Sequence, residues 1–304
     1  MAQINLRVDD NLKSSAERTL NDIGLSMSTA INIFLKTVVR ENRIPFELSA
    51  DPFYSKENME ELERRVADIR WRFFKVAEKS KQTNDITSFK LVPVDHGKMP
   101  DVKAGQYISV RVFVKGQELI QPRQYTVVKA DAASFTIAVK KVEAAEKSPA
   151  GMVSNTLHND IQEGDLVEVS FPVGEFNLPE GDGSLCLLSA GIGITPLFAM
   201  LKEAVKKDPT RKISFVHVCK SKEAVPFSDE IDLLVKEGTV TFEVFETSAH
   251  GRPSEEFFKH LADKDTNFCV CGPVPFMKLA AAELVKNGVP AEKIHAEKFG
   301  TGAI

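Results

Sequence analysis

The stretch LLSAGIGITPLFAML, residues 187–201, sets Gly191 and Gly193 where an apolar run turns into a helical pattern, with Thr195 and Pro196 just after. That arrangement suits a phosphate. A dinucleotide pyrophosphate must approach backbone N–H groups at a helix N-terminus, and side chains there would block it. Glycine also serves tight strand-to-helix turns for structural reasons, so the pair alone leaves both readings open. The third glycine of the common G-x-G-x-x-G fingerprint is replaced by Pro196. The four cysteines, Cys186, Cys219, Cys269 and Cys271, lie in apolar runs without C-x2-C pairing. Buried thiols are the expectation for them, rather than a metal site or a disulfide. His96, His158, His217, His250, His260 and His295 show no metal-ligand spacing. No C-x4-C-x2-C run is present to hold a plant-type iron–sulfur cluster, and no metal is expected.

The elements that must position this loop follow two rhythms. Apolar strands at 185–190, 213–218, 240–245 and 267–271 alternate with helical patterns near 196–207, 227–237, 254–263 and 275–287. Alternating β and α units of this length imply a parallel sheet with right-handed crossovers. Upstream, residues 72–77, 88–94, 107–114, 124–130, 134–141 and 166–171 read as short strands. Turn residues such as Asp95-His96-Gly97 and Glu163-Gly164-Asp165 separate them. Six strands at that spacing imply an antiparallel barrel. The rhythm changes after Pro179-Glu180-Gly181-Asp182-Gly183, which divides a barrel at 71–179 from an α/β domain at 180–304.

Composition sets outer bounds. A chain of 304 residues suggests roughly two domains, or three if one is small. With 43% hydrophobic and 27% charged residues it can bury ordinary globular cores. A net charge of −4 argues against a protein whose whole surface grips nucleic acid. No run of about 18 apolar residues exists and the third residue is already polar, so no membrane span or signal peptide is expected. A cytoplasmic protein without membrane partners is the expectation.

The glycine loop, with its Thr195-Pro196, resembles the G-x-G-x-T-P loop of ferredoxin-reductase-like flavoproteins. CVCGPVPFM, residues 269–277, follows about 80 residues later and is similar to the same family's second nucleotide loop. QPRQYTVV, residues 121–128, resembles the family's R-x-Y-[ST] flavin motif, and GMVSNTLHNDIQEGDLVEVSFPVGEF, residues 151–176, its phosphate-binding loop and helix. With DITSFKL, AGQYISVRV and EKIHAEKFG, the likeness is greatest to the reductase portion of flavohaemoglobins and covers about 71–301. It implies FAD and NADH or NADPH as cofactors.

The resemblance also implies roles. Arg123 would pair with FAD phosphate beside Gln124, a bidentate task that suits guanidinium. Tyr125 would pack against the flavin ring, and Thr126 would hydrogen-bond near its N5. Gly151, Met152, Val153 and Ser154 would meet the pyrophosphate at a helix start. Gly191, Gly193, Thr195 and Pro196 would hold the nicotinamide nucleotide, and Cys271, Gly272 and Pro273 would sit beside its reactive ring. Glu297 and Phe299 resemble the family's terminal acidic residue and flavin-covering aromatic. Lys298 and the ending GTGAI depart from that pattern. The catalytic set is thus Tyr125, Thr126, Thr195, Cys271, Glu297 and Phe299. Lys220, Ser221 and Lys222 in CKSKEAVPF could attract a 2′-phosphate, yet the arginine and asparagine common in such reductases are missing. NADH is favoured, with NADPH as the alternative.

The first 70 residues are of another kind. Ile4, Leu6 and Val8 alternate with Asn5, Arg7 and Asp9 as in a half-buried strand. A helix from about Asn11 to Ile23 stops at Gly24, and a second starts with Ser26 or Ser28 as its cap and Ile31, Phe34, Leu35 and Val38 at helical spacing. So small a piece cannot bury much surface alone, which points to a dimer or a docked module. Strand, helix, helix resembles the ribbon-helix-helix domain of RelB/DinJ-family antitoxins, and the likeness runs on through RENRIPFELSADPFYSKENMEELERRVADI. It implies a homodimer whose paired strands turn Gln3, Asn5 and Arg7 toward operator bases. The helix start at Ser26 to Ser28 would receive a phosphate. Six basic against five acidic residues in 1–43 give such a module weak nonspecific affinity, so dimerisation without DNA is the other reading.

The whole chain is therefore expected to be multidomain, α+β and α/β. A ribbon-helix-helix module spans 1–44 and a toxin-binding tail or linker 45–70. A six-stranded antiparallel FAD barrel at 71–179 and a parallel-sheet NAD(P) domain at 180–304 complete it. The expected activity is FAD-dependent NAD(P)H oxidation with electrons passed to an unidentified acceptor, such as a separate haem protein. The alternative is a type II antitoxin or autorepressor with the reductase half as redox sensor or passenger.

Overall fold

The computed structural model describes residues 10–22, 24–41, 71–114, 122–144, 149–181 and 183–297. The chain divides into two compact units, Met1–Asp68 and Ile69–Ile304. In the first, α1 (Asp10–Asp22) and α2 (Met27–Glu41) flank a turn at Gly24. Gly24 takes φ +77°, and the Leu25 N–H reaches back to the Leu20 carbonyl at 2.9 Å, closing the helix end in a left-handed cap. Ser26 is the cap of α2: its Oγ accepts the Thr29 N–H at 3.3 Å, while Ser28 lies inside the first turn. No residue of 13–21 or 24–40 is fully buried, and Ile33, Leu35 and Val39 are exposed. The expected strand at 4–9, with Gln3, Asn5 and Arg7, and the tail at 45–70 lie outside the described residues.

The second unit starts with a closed barrel. Its strands are β1 (Arg72–Lys81), β2 (Ile86–Pro93), β3 (Tyr107–Arg111), β4 (Arg123–Ala130), β5 (Phe135–Lys140) and β6 (Leu166–Val169), in the order β1-β2-β5-β4-β3-β6. Every neighbouring pair is antiparallel, as the spacing of six short strands predicts. Inward residues such as Phe74, Phe89, Ile108, Phe135 and Val169 fill the barrel, with the Phe74 and Phe135 rings stacked at 5.9 Å. Closure leaves no sheet edge to protect. Between β5 and β6, α3 (Met152–Asn159) seals one side with Val153 and Leu157.

A parallel sheet follows, formed by β7 (Leu185–Ala190), β8 (Ile213–Cys219), β9 (Val240–Glu246), β10 (Asn267–Cys271) and β11 (Ile294–Ala296) in the order β11-β10-β7-β8-β9. Every residue of β7 is buried, as a central strand covered on both faces requires. One face takes α4 (Ile194–Lys207) and α5 (Ser228–Lys236), through Leu197, Phe198 and Ile231. A short α6 (Thr247–His250) follows β9. The other face takes α7 (Glu255–Leu261) and α8 (Val274–Lys286), through Phe258, Met277 and Leu284. Ile86, Val128 and Ala138 of the barrel belong to the same apolar cluster as Leu187 and Phe198, so the two domains share one core. Lys129 and Glu230 pair across their outer seam at 2.6 Å.

Four of the sheet strands sit where alternation places them, but β11 and α6 were not anticipated. Helix α4 also starts earlier than expected, at Ile194, because a single 3-10 turn over Gly191–Gly193 leads into it. Among the described residues no helix is long and apolar enough to cross a membrane.

Candidate active site

Strand β4 presents the first wall. Its pairing with β3 sets Tyr125 opposite Ile108 and Thr126 opposite Tyr107. Arg123, Gln124, Tyr125 and Thr126 all line one cavity of about 550 Å3. Thr126 is 3% exposed, and its Oγ1 finds no hydrogen-bond partner among the described residues. A buried hydroxyl left unpaired costs free energy, which a bound acceptor would recover. Burial pushes the Tyr125 phenol up, so the ring stays neutral. The Arg123 guanidinium donates to the Pro122 carbonyl at 2.8 Å and remains exposed at the rim.

The start of α3 forms the second wall. Gly151 is its N-cap, and no side chain caps it, so the first-turn N–H groups of Met152, Val153 and Ser154 are available to an anion. The segment is stitched to the end of β5. The Gly151 N–H donates to the Val142 carbonyl at 2.9 Å, and Asn155 Nδ2 donates to that carbonyl at 2.8 Å. The Ser154 hydroxyl donates to the Gly151 carbonyl at 3.1 Å and accepts the Val142 N–H at 3.3 Å. What Ser154 offers a ligand is therefore its backbone N–H.

The third wall comes from the sheet. Ile192 and Thr195 line the same cavity at the start of α4, with the Thr195 hydroxyl donating to the Ile192 carbonyl at 2.9 Å. Gly191 takes φ +54° with open space where a side chain would stand. Gly193 instead abuts the end of β10, because any Cβ there would lie 2.6 Å from the Gly272 nitrogen and against the Cys271 carbonyl. Gly272 packs in turn on Ala190, and Pro273 is the N-cap of α8. Pro196 lies buried in the first turn of α4.

Cys271 and Glu297 do not line the cavity but sit just behind Gly193. Parallel pairing of β11 with β10 carries Glu297 over Cys271, whose thiol donates to the Glu297 carboxylate at 3.5 Å. Burial raises the Glu297 pKa to about 7. Burial, with the Glu297 charge behind it, pushes the Cys271 thiol well up, so it remains a protonated donor. Phe299 lies outside the described residues.

The sequence-derived groups from three separate segments thus meet at one cavity. An unpaired hydroxyl, a neutral phenol ring, a guanidinium and uncapped helix N–H groups together fit a planar aromatic ring joined to phosphates. Lys140, Val142 and Ile192 also line it and were not foreseen. Only the pairing of β5 with β2 and β4 brings Lys140 there, so no local signal marks it.

Three family models match the chain. Residues 73–178 match the oxidoreductase FAD-binding domain, 187–282 the oxidoreductase NAD-binding domain, and 1–86 the RelB antitoxin family. The flavohemoprotein of Bordetella pertussis is 41% identical over 251 residues, covering 77% of this chain and 62% of its own length. That of Halalkalibacterium halodurans is 34% identical over 277 residues, covering 85% of this chain and 67% of its own. The chain belongs to the flavohemoprotein family. As such it is an FAD-dependent oxidoreductase that binds a nicotinamide nucleotide. Among solved structures, the flavohem-like FAD/NAD-binding domain of nitric oxide dioxygenase from Vibrio cholerae aligns with a TM-score of 0.68 at 32% identity. That alignment covers 75% of this chain and 98% of the Vibrio domain. This flavohemoprotein-family chain spans 62% of the length of its Bordetella relative.

Proposed function

We propose that the enzyme oxidises NAD(P)H and passes the electrons to an acceptor on another molecule, for which a haem protein is the first candidate. One observation carries this reading: flavin-type groups on β4 and α3 share a single cavity with the nucleotide loop at Ile192 and Thr195. When bound, FAD supplies the redox chemistry, taking two electrons from reduced nicotinamide and releasing them singly or in pairs. The chain supplies alignment. Arg123 and the N–H groups of 152–154 hold phosphate charge. Tyr125 and Thr126 fix the ring, with the Thr126 hydroxyl free to donate to it. Gly193, Thr195, Pro196, Cys271, Gly272 and Pro273 keep the nicotinamide ring in place, and buried Glu297 with Cys271 limits water behind it. Phe299 is assigned to the flavin face on the resemblance alone. The haem acceptor is favoured because the relatives' name joins a flavin to a haem.

A visible absorption spectrum of the purified chain, before and after anaerobic NADH or NADPH, tests this. Flavin bands that bleach with a nucleotide are the expected result. A protein that stays colourless after added FAD would sink it.

A second activity has its own support in the RelB match at 1–86 and in a helix pair that leaves Ile33, Leu35 and Val39 exposed. Residues 1–44 are read as a dimeric operator-binding module, with Gln3, Asn5 and Arg7 on bases and the α2 start at Ser26 to Ser28 on phosphate. Residues 45–70 are read as the segment that takes a cognate toxin. The full chain is expected to sediment as a dimer, and a chain starting at residue 71 as a yellow monomer. A truncated chain that stays dimeric overturns this assignment. Residues 71–179 and 180–304 are assigned to FAD and to the nucleotide respectively, in a cytoplasmic protein.

A further inference from the structure

A second cavity, of about 430 Å3, starts at Gly191 and ends against the segment that follows β8. In a parallel sheet, the strand beside the one that carries the glycine loop ends where the adenosine ribose of a dinucleotide lies. Here that strand is β8, in register with β7 from Leu185 and Ile213 to Ala190 and Val218. The segment after it is held firmly. Ser248 N–H donates to the Lys220 carbonyl and Thr247 Oγ1 to the Cys219 carbonyl, each at 3.1 Å.

The charges on this wall decide which ribose it accepts. Ser221 Oγ donates to Glu223 Oε2 at 2.5 Å, so the hydroxyl that could greet a phosphate is already spent on a carboxylate. Glu246, at the end of the neighbouring β9, adds a second carboxylate, accepting the Lys222 N–H at 3.1 Å. Asp85 and Lys140, on the facing barrel wall, pair with each other at 3.3 Å. A ribose 2′-hydroxyl can donate to a fixed carboxylate at no charge cost. A 2′-phosphate would carry nearly two negative charges toward Glu223 and would have to break the Ser221 bond. Lys220, together with Lys222, whose charge also acts on Glu223, offsets part of that repulsion but leaves the carboxylate in place.

We propose that Glu223, held by Ser221 at the end of β8, makes NADH the preferred donor of this enzyme over NADPH. The proposal rests on the NAD(P)H-oxidising reading above. It is tested on the full-length, FAD-loaded chain by measuring kcat/KM for NADH and for NADPH with ferricyanide as acceptor. Like charges brought together cost enough for the wild type to prefer NADH by about tenfold or more, and Glu223→Gln and Glu223→Ala should each cut that preference about tenfold. Part of the change should be a gain with NADPH and not only a loss with NADH. A wild type that uses NADPH as well as NADH, or a ratio unmoved in both variants, overturns the role of Glu223. Flavin that neither nucleotide reduces would instead overturn the NAD(P)H-oxidising reading.

Discussion

Gly193→Ala should slow flavin reduction by nicotinamide about 100-fold or more while the protein stays yellow. The restriction at Gly193 is one of space and not of backbone angle, since its φ of −62° suits any residue. A methyl group there would strike the Cys271 carbonyl and lie 2.5 Å from its carbon and 2.6 Å from the Gly272 nitrogen. Both are backbone atoms at the junction of β10 and α8, so no side chain can swing aside. Either that junction or the start of α4 must move. Overpacking of this kind costs about 1–3 kcal/mol of stability, and a displacement of about 1 Å between reacting groups costs about 100-fold in rate. The groups proposed to hold flavin lie on β4 and α3, away from the clash, which is why colour should survive. Stopped-flow bleaching at the wild-type rate would show that the two loops do not position the nucleotide.

Glu297→Gln should remove a pH dependence of stability. The Glu297 carboxyl is 6% exposed, and burial lifts its pKa to about 7. An unfolded glutamate titrates near 4.3, so between that value and about 7 the native state holds a proton that the unfolded state has released. The stabilisation is complete below the unfolded value and is lost as pH rises through the native one, an effect of up to about 3 kcal/mol. His217 opposes it, because burial lowers its pKa to about 4 and its neutral form gains as pH rises from there. For that reason the comparison must be made between wild type and Glu297→Gln at each pH, where the histidine contribution cancels. Thermal melts of the FAD-loaded proteins should show the wild type losing ground to the variant between about pH 4 and 7. Parallel curves would mean that Glu297 is already ionised in the native chain.

The elements that could be read from sequence are those whose burial follows a local period. β1, β3 and β6 of the barrel bury one face each, and Leu185–Ala190 shows the unbroken apolar run of a central parallel strand. The glycine loop was legible because its demand for a bare backbone is local. What stayed hidden depends on neighbours distant in sequence. β11 has three residues and gains its identity only from pairing with β10, yet that pairing sets Glu297 on Cys271. Lys140 and Val142 reach the cavity through strand order, and the Ser221 bond to Glu223 is set by a 3-10 turn that no periodicity announces.

The apolar cluster that runs from Ile86, Val128 and Ala138 of the barrel into Leu187, Phe198 and Phe215 of the sheet has a consequence for ancestry. Cutting the chain near residue 180 would expose apolar surface on both fragments, and neither could keep the cavity they line together. The reductase is therefore a single heritable piece. A genetic rearrangement that moves it beside a new N-terminal module must carry barrel and sheet as a pair.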